Sequence, residues 1–560
     1  MTDNLILGLL KRNGPSLSSD LARELEATGL SPEAARKRIS RGVAGVNRLA
    51  GLVFPKGVRF FYLESDYNGE RYWRALAEAA GKASPAYGAA LAALEARGGI
   101  IPIDQFSIIC GSPVRQAGQI SSENVLKRLE AVKLVRRADL DGLGTCIMLG
   151  GNGFIGGVDV DGLRARLITE NILLLAVRDW ARKLGMASYD RIEVRGIDAA
   201  LPRYGTFNWD LCGPSYLAPM VRYDKTGKPK PGFLVCDTVS GKTIDERAIA
   251  AFIRKCKLSA SLRNLPPVMP ILIADRFTRE AFRLGKSYGI VMATPYSLFG
   301  REVAIGLATL LTTLGKAAAI AVSKPEVITE LFDRLGQIEG AAGNLRGALF
   351  EMIVAHAVQR ESGGSIDIGL RVKSNLGFRA EIDVLRAKAA EVRCYECKGY
   401  QPDHLVGLDE VKRWVEEKVP GTYQVLRAQE RFAAPTAVHF EFWTSGGFTA
   451  EAIAFLNAAK AKTKRYGIHY RGGADVRKFV AAVNAPGLVK TLDEHYFNHP
   501  LTRTNAKYDA PAALDAVELS LELELGGGVD DDDDDGVPYL ALTSPSPALA
   551  TPTTIVIGRR

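Results

Sequence analysis

Apolar and polar positions along this chain follow two periods, and each change of period marks an element. The first 65 residues read as three helices and a hairpin. "NLILGLLKRN" spaces its apolar residues for one helix face. "SLSSDLARELEATG" begins with Ser caps and ends at Gly, and "SPEAARKRISRG" opens on Ser-Pro. "RLAGLVFPKGVRFFYLE" reads as two strands around Pro55-Lys56-Gly57. From Pro85 to Leu149 the theme returns, where "SSENVLKRLEAVKLVRRADLDGLGTCIML" predicts a capped helix leading into a hairpin. Residues 160–310 and 340–485 then predict one helix-and-strand architecture twice. In both, a strand is followed by Phe-Thr-x-Glu-Ala opening a helix (277–281 and 448–452) and Tyr-Gly-Ile opening a strand (288–290 and 466–468). The predicted fold class is α/β multidomain.

Residues 1–75 resemble a winged helix-turn-helix domain, and residues 85–150 resemble a second one. The resemblance implies that a third helix enters a groove of duplex DNA, although winged helices also serve simply to join proteins. In the first unit that helix carries Arg36, Lys37, Arg38 and Arg41; in the second, for which a helical connector is the alternative, the basic residues are Lys127, Arg128, Arg136 and Arg137, with Lys127 and Arg128 the binding candidates.

Charge sharpens this picture. The 560-residue chain has a formal charge of +9. Residues 506–560 hold three basic and eleven acidic residues, a net of −8, which leaves +17 on the rest. A basic body with an acidic tail suggests a polyanion partner. Residues 510–560, with six consecutive Asp and a Pro/Ser/Thr stretch, predict a disordered tail. No apolar run in the sequence reaches the ~18–20 residues of a membrane span, and the N-terminus has no signal-peptide pattern. Only two of seven cysteines lie close in sequence, Cys394 and Cys397, which predicts a reducing, cytoplasmic setting.

The chemistry concentrates in the second repeat. "GNLRGALFEMIVAHAVQRE" predicts a helix carrying Glu351 among apolar residues. "LGFRAEIDVLRA" and "EVRCYECKGY" predict a hairpin of two strands. Alternation puts Glu396 and Lys398 on one face, with Asp383 on the neighbouring strand. Burying these charges is costly unless something pairs with them. Two carboxylates, an ammonium and a third carboxylate on a flanking helix suit Mg²⁺ or Mn²⁺, held by Asp383 and Glu396 with Glu351 accessory. Such an ion would favour phosphodiester hydrolysis, with Lys398 orienting the attacking water.

These residues resemble the PD-(D/E)xK, or restriction-endonuclease-like, nucleases: Glu351 on the first helix, Asp383 in "EID", and Glu396-Cys397-Lys398 as the E-x-K. The motif's Pro is replaced by Ile382, a common variation. The resemblance covers residues 340–485, about a quarter of the chain. It implies a small mixed sheet flanked by helices, and metal-dependent cleavage of nucleic acid with Glu351, Asp383, Glu396 and Lys398 as the catalytic set. Several neighbours have plainer readings. Glu381 reads as a salt-bridged strand residue, His356 as a core or surface histidine, and Gln401 and His404 as loop polarity. Lys412 and Arg413 read as a solvated helix face. Cys394 and Cys397, three apart on a strand, face opposite ways and do not form a zinc pair.

The first repeat offers Glu170, Asp210 and Asp237 at the corresponding places, but Val239 stands at the lysine place, with Lys242 the nearest substitute. This predicts a degenerate nuclease-like domain at 160–310, with an active copy that uses Lys242 or an unrelated α/β domain as the alternatives. The whole reads as a cytoplasmic metal-dependent DNA endonuclease of restriction or anti-phage defence, acting on double-stranded DNA. The alternatives are a repair or recombination nuclease, a DNA-binding regulator with a decayed nuclease fold, or RNA as substrate. One active domain per chain implies a homodimer or nicking. The absence of a P-loop means that translocation would require a partner ATPase.

Overall fold

A computed structural model describes residues 4–497 except 53, 141–142, 151–158, 197–199, 263–264, 337, 339–340, 375–376, 401–403, 430–431 and 433–435. The described residues belong to one unit. The tail expected from residue 510, and Gln401, lie outside the described residues.

The N-terminal elements run α1 (Asn4–Asn13), β1 (Ser16–Leu17), α2 (Ser18–Ala27), α3 (Pro32–Arg41), β2 (Val46–Arg48) and β3 (Phe60–Leu63), with a sheet ordered β1–β3–β2. Local chemistry sets the start of α3. The Ser31 hydroxyl accepts from the Ala34 N–H at 3.3 Å, and Pro32 sits in the first turn, where no N–H is required. Leu10, Leu21, Leu25, Ala35, Ile39 and Phe61 form the core of this unit. Arg36, Lys37 and Arg41 are left exposed on α3.

The same order recurs in α4 (Glu70–Ala83), α5 (Pro85–Ala96), β4 (Ile100–Pro102), α6 (Phe106–Ile109), α7 (Ser122–Ala131), β5 (Val135–Leu140) and β6 (Gly144–Leu149), with a sheet ordered β4–β6–β5. α4 meets α5 at Gly81 and Gly88, where a Cβ on Gly88 would lie 2.6 Å from the Gly81 Cα. One cluster joins Tyr72 and Leu76 of α4 to Tyr87 and Leu94 of α5 and to Leu17 and Phe60 of the first unit. The boundary expected between residues 75 and 85 therefore crosses a helical hairpin, and the two N-terminal units share core.

The first repeat contains α8 (Val160–Lys183), β7 (Glu193–Val194), β8 (Arg203–Tyr204), β9 (Phe207–Asn208), β10 (Leu211–Ser215), β11 (Arg222–Tyr223), β12 (Pro229–Lys230), β13 (Gly232–Ile244), α9 (Glu246–Ala260), β14 (Val268–Phe277), α10 (Arg279–Ser287) and β15 (Val291–Ala293). Its main sheet is ordered β7–β10–β13–β14–β15. The first two pairings are antiparallel and the last two parallel. Helices α11 (Pro295–Gly315), α12 (Ala317–Ser323) and α13 (Glu326–Leu335) lead to the second repeat.

That repeat runs α14 (Ala341–Ser362), β16 (Ser365–Lys373), β17 (Arg379–Lys388), β18 (Glu391–Lys398), β19 (Leu405–Val406), α15 (Leu408–Arg413), α16 (Val419–Arg427), β20 (Ala437–Thr444), β21 (Gly447–Phe448), α17 (Ala450–Lys462), β22 (Gly467–Arg471), α18 (Gly473–Ala482) and α19 (Pro486–Leu492). Its sheet, β16–β17–β18–β20–β22, again has two antiparallel pairings followed by two parallel ones. The register matches as well. Leu211 faces Cys236 in the first copy, and Val384 faces Tyr395 in the second. Asp210 thus corresponds to Asp383, Asp237 to Glu396 and Val239 to Lys398. The fold is mixed α/β, and its two larger sheets share one topology.

α11 alone among the described residues is long and apolar enough to cross a membrane by length and composition. The backbone breaks at Gly300 (φ 81°), leaving 301–315 as continuous helix, short of the ~20 residues a span needs. Its Leu307 and Leu310 pack into the core with α8. All seven cysteines are unpaired and buried.

Candidate functional site

In the second repeat the hairpin of β17 and β18 does what strand alternation predicts. Lys398 Nζ lies 2.9 Å from Glu396 Oε1. Across the hairpin, Asp383 Oδ2 accepts from the Cys397 N–H at 2.7 Å, which fixes that carboxylate at the edge of the ladder. A second lysine also enters. Lys418 pairs with Glu396 Oε2 and reaches 3.7 Å from Asp383 Oδ1. It comes from a π-helical turn, Trp414–Lys418, between α15 and α16. Pro420 follows that turn. A proline inside a helix has no N–H to donate and crowds the preceding turn, and a π turn accommodates such a break. Residues 410–421 read as an ordinary helix in sequence, where only Lys412 and Arg413 stood out. Pro420 is the one signal of the irregularity.

The charges do not balance. Burial pushes the Asp383 carboxyl up, Glu396 pushes it further, and it titrates at about 6 despite both lysines. Glu396 is also buried, yet Lys418 and Lys398 outweigh that cost and hold it below its usual range. Both lysines are held more firmly protonated than usual, because the carboxylates outweigh the cost of their burial. Glu351 stands well above the usual range through burial, then through Asp383 and Glu381. Among the described residues no cation bonds it directly.

Among the described residues, no group of three or more His, Cys, Asp and Glu side chains converges as a metal cage would. The donor chemistry nevertheless fits a hard divalent cation. Asp383 and Glu396 are oxygen donors on adjacent strands and no described cation bonds Glu351 directly, while Lys418 holds the place between the two strand carboxylates that an ion would take.

The first repeat brings its corresponding residues together in a different electrostatic state. Glu170, Asp210 and Asp237 are almost fully buried, and each has a buried cation. Arg195 donates from Nε to Asp210 Oδ1 at 2.6 Å and from Nη2 to Glu170 Oε2 at 3.0 Å. Arg166 lies 3.3 Å from Glu170 Oε1. Lys255, on α9, lies 2.5 Å from Asp237 Oδ2 and sits over the Trp209 ring, 3.9 Å from its centroid. Burial pushes Asp210 upward, but Arg195 and Arg97 outweigh it and hold the carboxyl below its usual range. Arginine and lysine thus fill the space a metal would need. Lys242, the nearest candidate substitute in sequence, is not at this site: its Nζ is exposed and donates to the Glu95 carbonyl at 3.1 Å. Lys255 stands on Asp237 as Lys418 stands on Glu396, each from the helical crossover after the second motif strand. Both were missed in sequence, since a lysine eleven or twenty residues past the end of a strand has no distinctive spacing.

The remaining candidates separate clearly. Arg36, Lys37, Arg38 and Arg41 form no ion pair with described residues, whereas Lys127 pairs with Glu123 at 2.6 Å and Arg128 donates to the Tyr87 hydroxyl at 3.1 Å. His356 is buried, with Nδ1 2.8 Å from the Ala321 carbonyl oxygen, a core histidine as expected. His404 packs on Tyr400 with ring centroids 4.0 Å apart. Glu381 is salt-bridged by Arg164 of α8.

No protein-family model matches the chain, and no curated protein does. A solved structure described as a protein of unknown function, AF1548, is 21% identical over 22% of this chain and 58% of that one, with a TM-score of 0.16. The alignment thus spans under two thirds of that protein, and at this TM-score it carries no argument.

Proposed function

We propose that this chain is a metal-dependent DNA endonuclease whose active centre is Glu351, Asp383, Glu396 and Lys398 of the second repeat. The observation that carries the reading is Asp383 and Glu396 side by side just beyond the Val384–Tyr395 pair, with the Cys397 N–H on Asp383, Lys398 on Glu396, and no described cation bonded directly to Glu351. Helix, two antiparallel steps and two parallel steps also suit a restriction-endonuclease-like core. A bound Mg²⁺ or Mn²⁺ would neutralise charge at the scissile phosphate and make a nearby water more acidic. Asp383, Glu396 and Glu351 would hold it. Lys398 would orient the attacking water and offset charge as the phosphate becomes pentacovalent. Lys418 keeps Glu396 ionised and ready as a ligand.

The first repeat is the degenerate copy in this reading, because Arg195, Arg166 and Lys255 occupy its carboxylates. The two N-terminal units read as winged helices by their element order and matching sheets, and the first, with unpaired basic residues on α3, is the duplex-binding one. The setting is restriction or anti-phage defence in a reducing, cytoplasmic compartment. A homodimer would serve two-strand cutting, and a partner ATPase any translocation.

The test is incubation of supercoiled plasmid and linear duplex with the protein in Mg²⁺, Mn²⁺ or EDTA, beside Lys398→Ala. Metal-dependent cutting lost in the variant supports the reading. A wild type that binds duplex but never cuts favours the second reading, a DNA-binding regulator. Lys418, already seated on both carboxylates, is the observation that keeps that alternative in play.

A further inference from the structure

The two repeats meet at the candidate active centre. Arg164 of α8, in the first repeat, forms a two-pronged pair with Glu381 of β17, Nη1 to Oε1 and Nη2 to Oε2. Glu381 is two residues before Asp383, so it shares that residue's strand face. A second cross-repeat pair lies beside it, with Arg371 Nη2 3.4 Å from Asp161 Oδ1, and Arg371 faces Glu381 in the β16–β17 ladder. Gly369 of β16 makes room for the pair. Its backbone has φ +68°, and a Cβ there would lie 3.2 Å from Arg164 Nη1 and 3.3 Å from Glu381 Oε1. Arg164, Lys316 and Glu351 line one cavity of ≈ 340 Å³, walled by α8 on one side and by β16 on the other.

We infer that the first repeat is a structural part of the second repeat's active centre: Arg164 is a positioning residue that holds Glu381 away from Asp383 and Glu351. This rests on the nuclease reading above. Four carboxylates, Glu351, Glu381, Asp383 and Glu396, gather between α14 and the β17–β18 hairpin, and three of them are wanted as ligands. An unclamped Glu381 would be a competing ligand beside Asp383. The guanidinium fork takes both of its oxygens, as a planar bidentate donor can and a lysine cannot. A sealed first repeat then has a use without chemistry of its own, because the helix that carries its buried Glu170 inward carries Arg164 outward to the neighbour.

The experiment measures Mn²⁺ binding without DNA, by the free-ion paramagnetic resonance signal, and the metal dependence of duplex cleavage. The proteins are wild type, Arg164→Gln, Arg164→Lys, Glu381→Gln and the Arg164→Gln/Glu381→Gln double variant. Arg164→Gln is expected to lower kcat by about 10–100-fold, the usual size for loss of an outer-shell partner, while Mn²⁺ binds more tightly because a positive charge has gone and a carboxylate is freed. Arg164→Lys keeps the charge but loses the fork, so it keeps near-normal Mn²⁺ affinity with reduced kcat. The double variant removes both clamp and competitor and is expected to recover kcat to within several-fold of wild type. Tighter Mn²⁺ binding, and rescue by a second substitution, would not follow from a simple loss of folding. If wild type binds Mn²⁺ and cuts, but Arg164→Gln leaves both unchanged or the double variant fails to recover, the clamp is wrong and the nuclease reading stands. If wild type neither binds Mn²⁺ nor cuts, the nuclease reading falls and takes the clamp with it.

Discussion

Arg195 is the joint of the first repeat's buried network, and replacing it with Met isolates what that network contributes. The side chain is 7% exposed and bridges Asp210 at 2.6 Å and Glu170 at 3.0 Å. Met keeps much of the stem and removes the charge. Two carboxylates would then stay buried with fewer donors. Removing one partner of a buried pair costs ~3–5 kcal/mol. Arg166 still reaches Glu170, and the Thr238 N–H still donates to Asp210 Oδ2 at 2.8 Å, so the lower end, about 3 kcal/mol, is expected. At a urea slope of about 2 kcal/mol/M, the unfolding midpoint falls by about 1.5 M. The assay is urea unfolding at pH 7.5, with hydrogen exchange of the β10 and β13 amides reading the first repeat by itself. Asp210 has a depressed folded pKa, so its share of stability is present above its unfolded value of ~3.9 and is lost as pH falls through the folded one. The gap between wild type and variant should therefore narrow in acid. A midpoint change under about 0.3 M at pH 7.5 would mean that these carboxylates do not depend on Arg195.

Three further outcomes are expected. Asp383 titrates at about 6, above its unfolded ~3.9, so the native state holds this proton more tightly and stability falls as pH rises from about 4 through 6; in EDTA, urea midpoints at pH 4.5 and 7.5 should show Asp383→Asn gaining about 1–3 kcal/mol over wild type at the higher pH only. Lys418→Met leaves Asp383 and Glu396 facing each other without their bridging cation, so melting in EDTA should come several degrees lower and Mn²⁺ should restore it, as a ligand specific to the folded state does. Changing Arg36, Lys37 and Arg41 together to Ala should weaken duplex binding across all sequences and reduce the slope of log affinity against log salt by up to about 3, measured by fluorescence anisotropy; Lys127→Ala, whose lysine is already paired with Glu123, should move it little.

What the sequence made legible follows from what is periodic in it. The nearness of Asp383 to Glu396 comes from strand alternation plus a short hairpin, which fixes register locally, and the Asp210–Asp237 echo follows from the repeated pattern although residues 216–231 separate its strands. The helices of the first unit were equally plain, because Ser31-Pro32 and the Gly stops punctuate them. The cations were not legible. Lys255, Lys418 and Arg195 approach their carboxylates from crossovers and turns, and their placement depends on how helices pack on the sheet. Lys242 looked like the substitute because it is near in sequence, but the strand twists it out to the Glu95 carbonyl. Arg164 and Glu381 lie 217 positions apart, and no local pattern marks a pair of that kind.

On the nuclease reading, the two copies of one fold have parted, one keeping its chemistry and the other sealing its carboxylates with arginine and lysine. The most direct test is Mn²⁺-dependent cleavage of a supercoiled plasmid by Asp383→Asn and by the counterpart Asp210→Asn, each confirmed folded by hydrogen exchange. Asp383→Asn is expected to abolish cutting, and folded Asp210→Asn to cut like wild type. Cutting that survives Asp383→Asn and disappears with Asp210→Asn would overturn that reading.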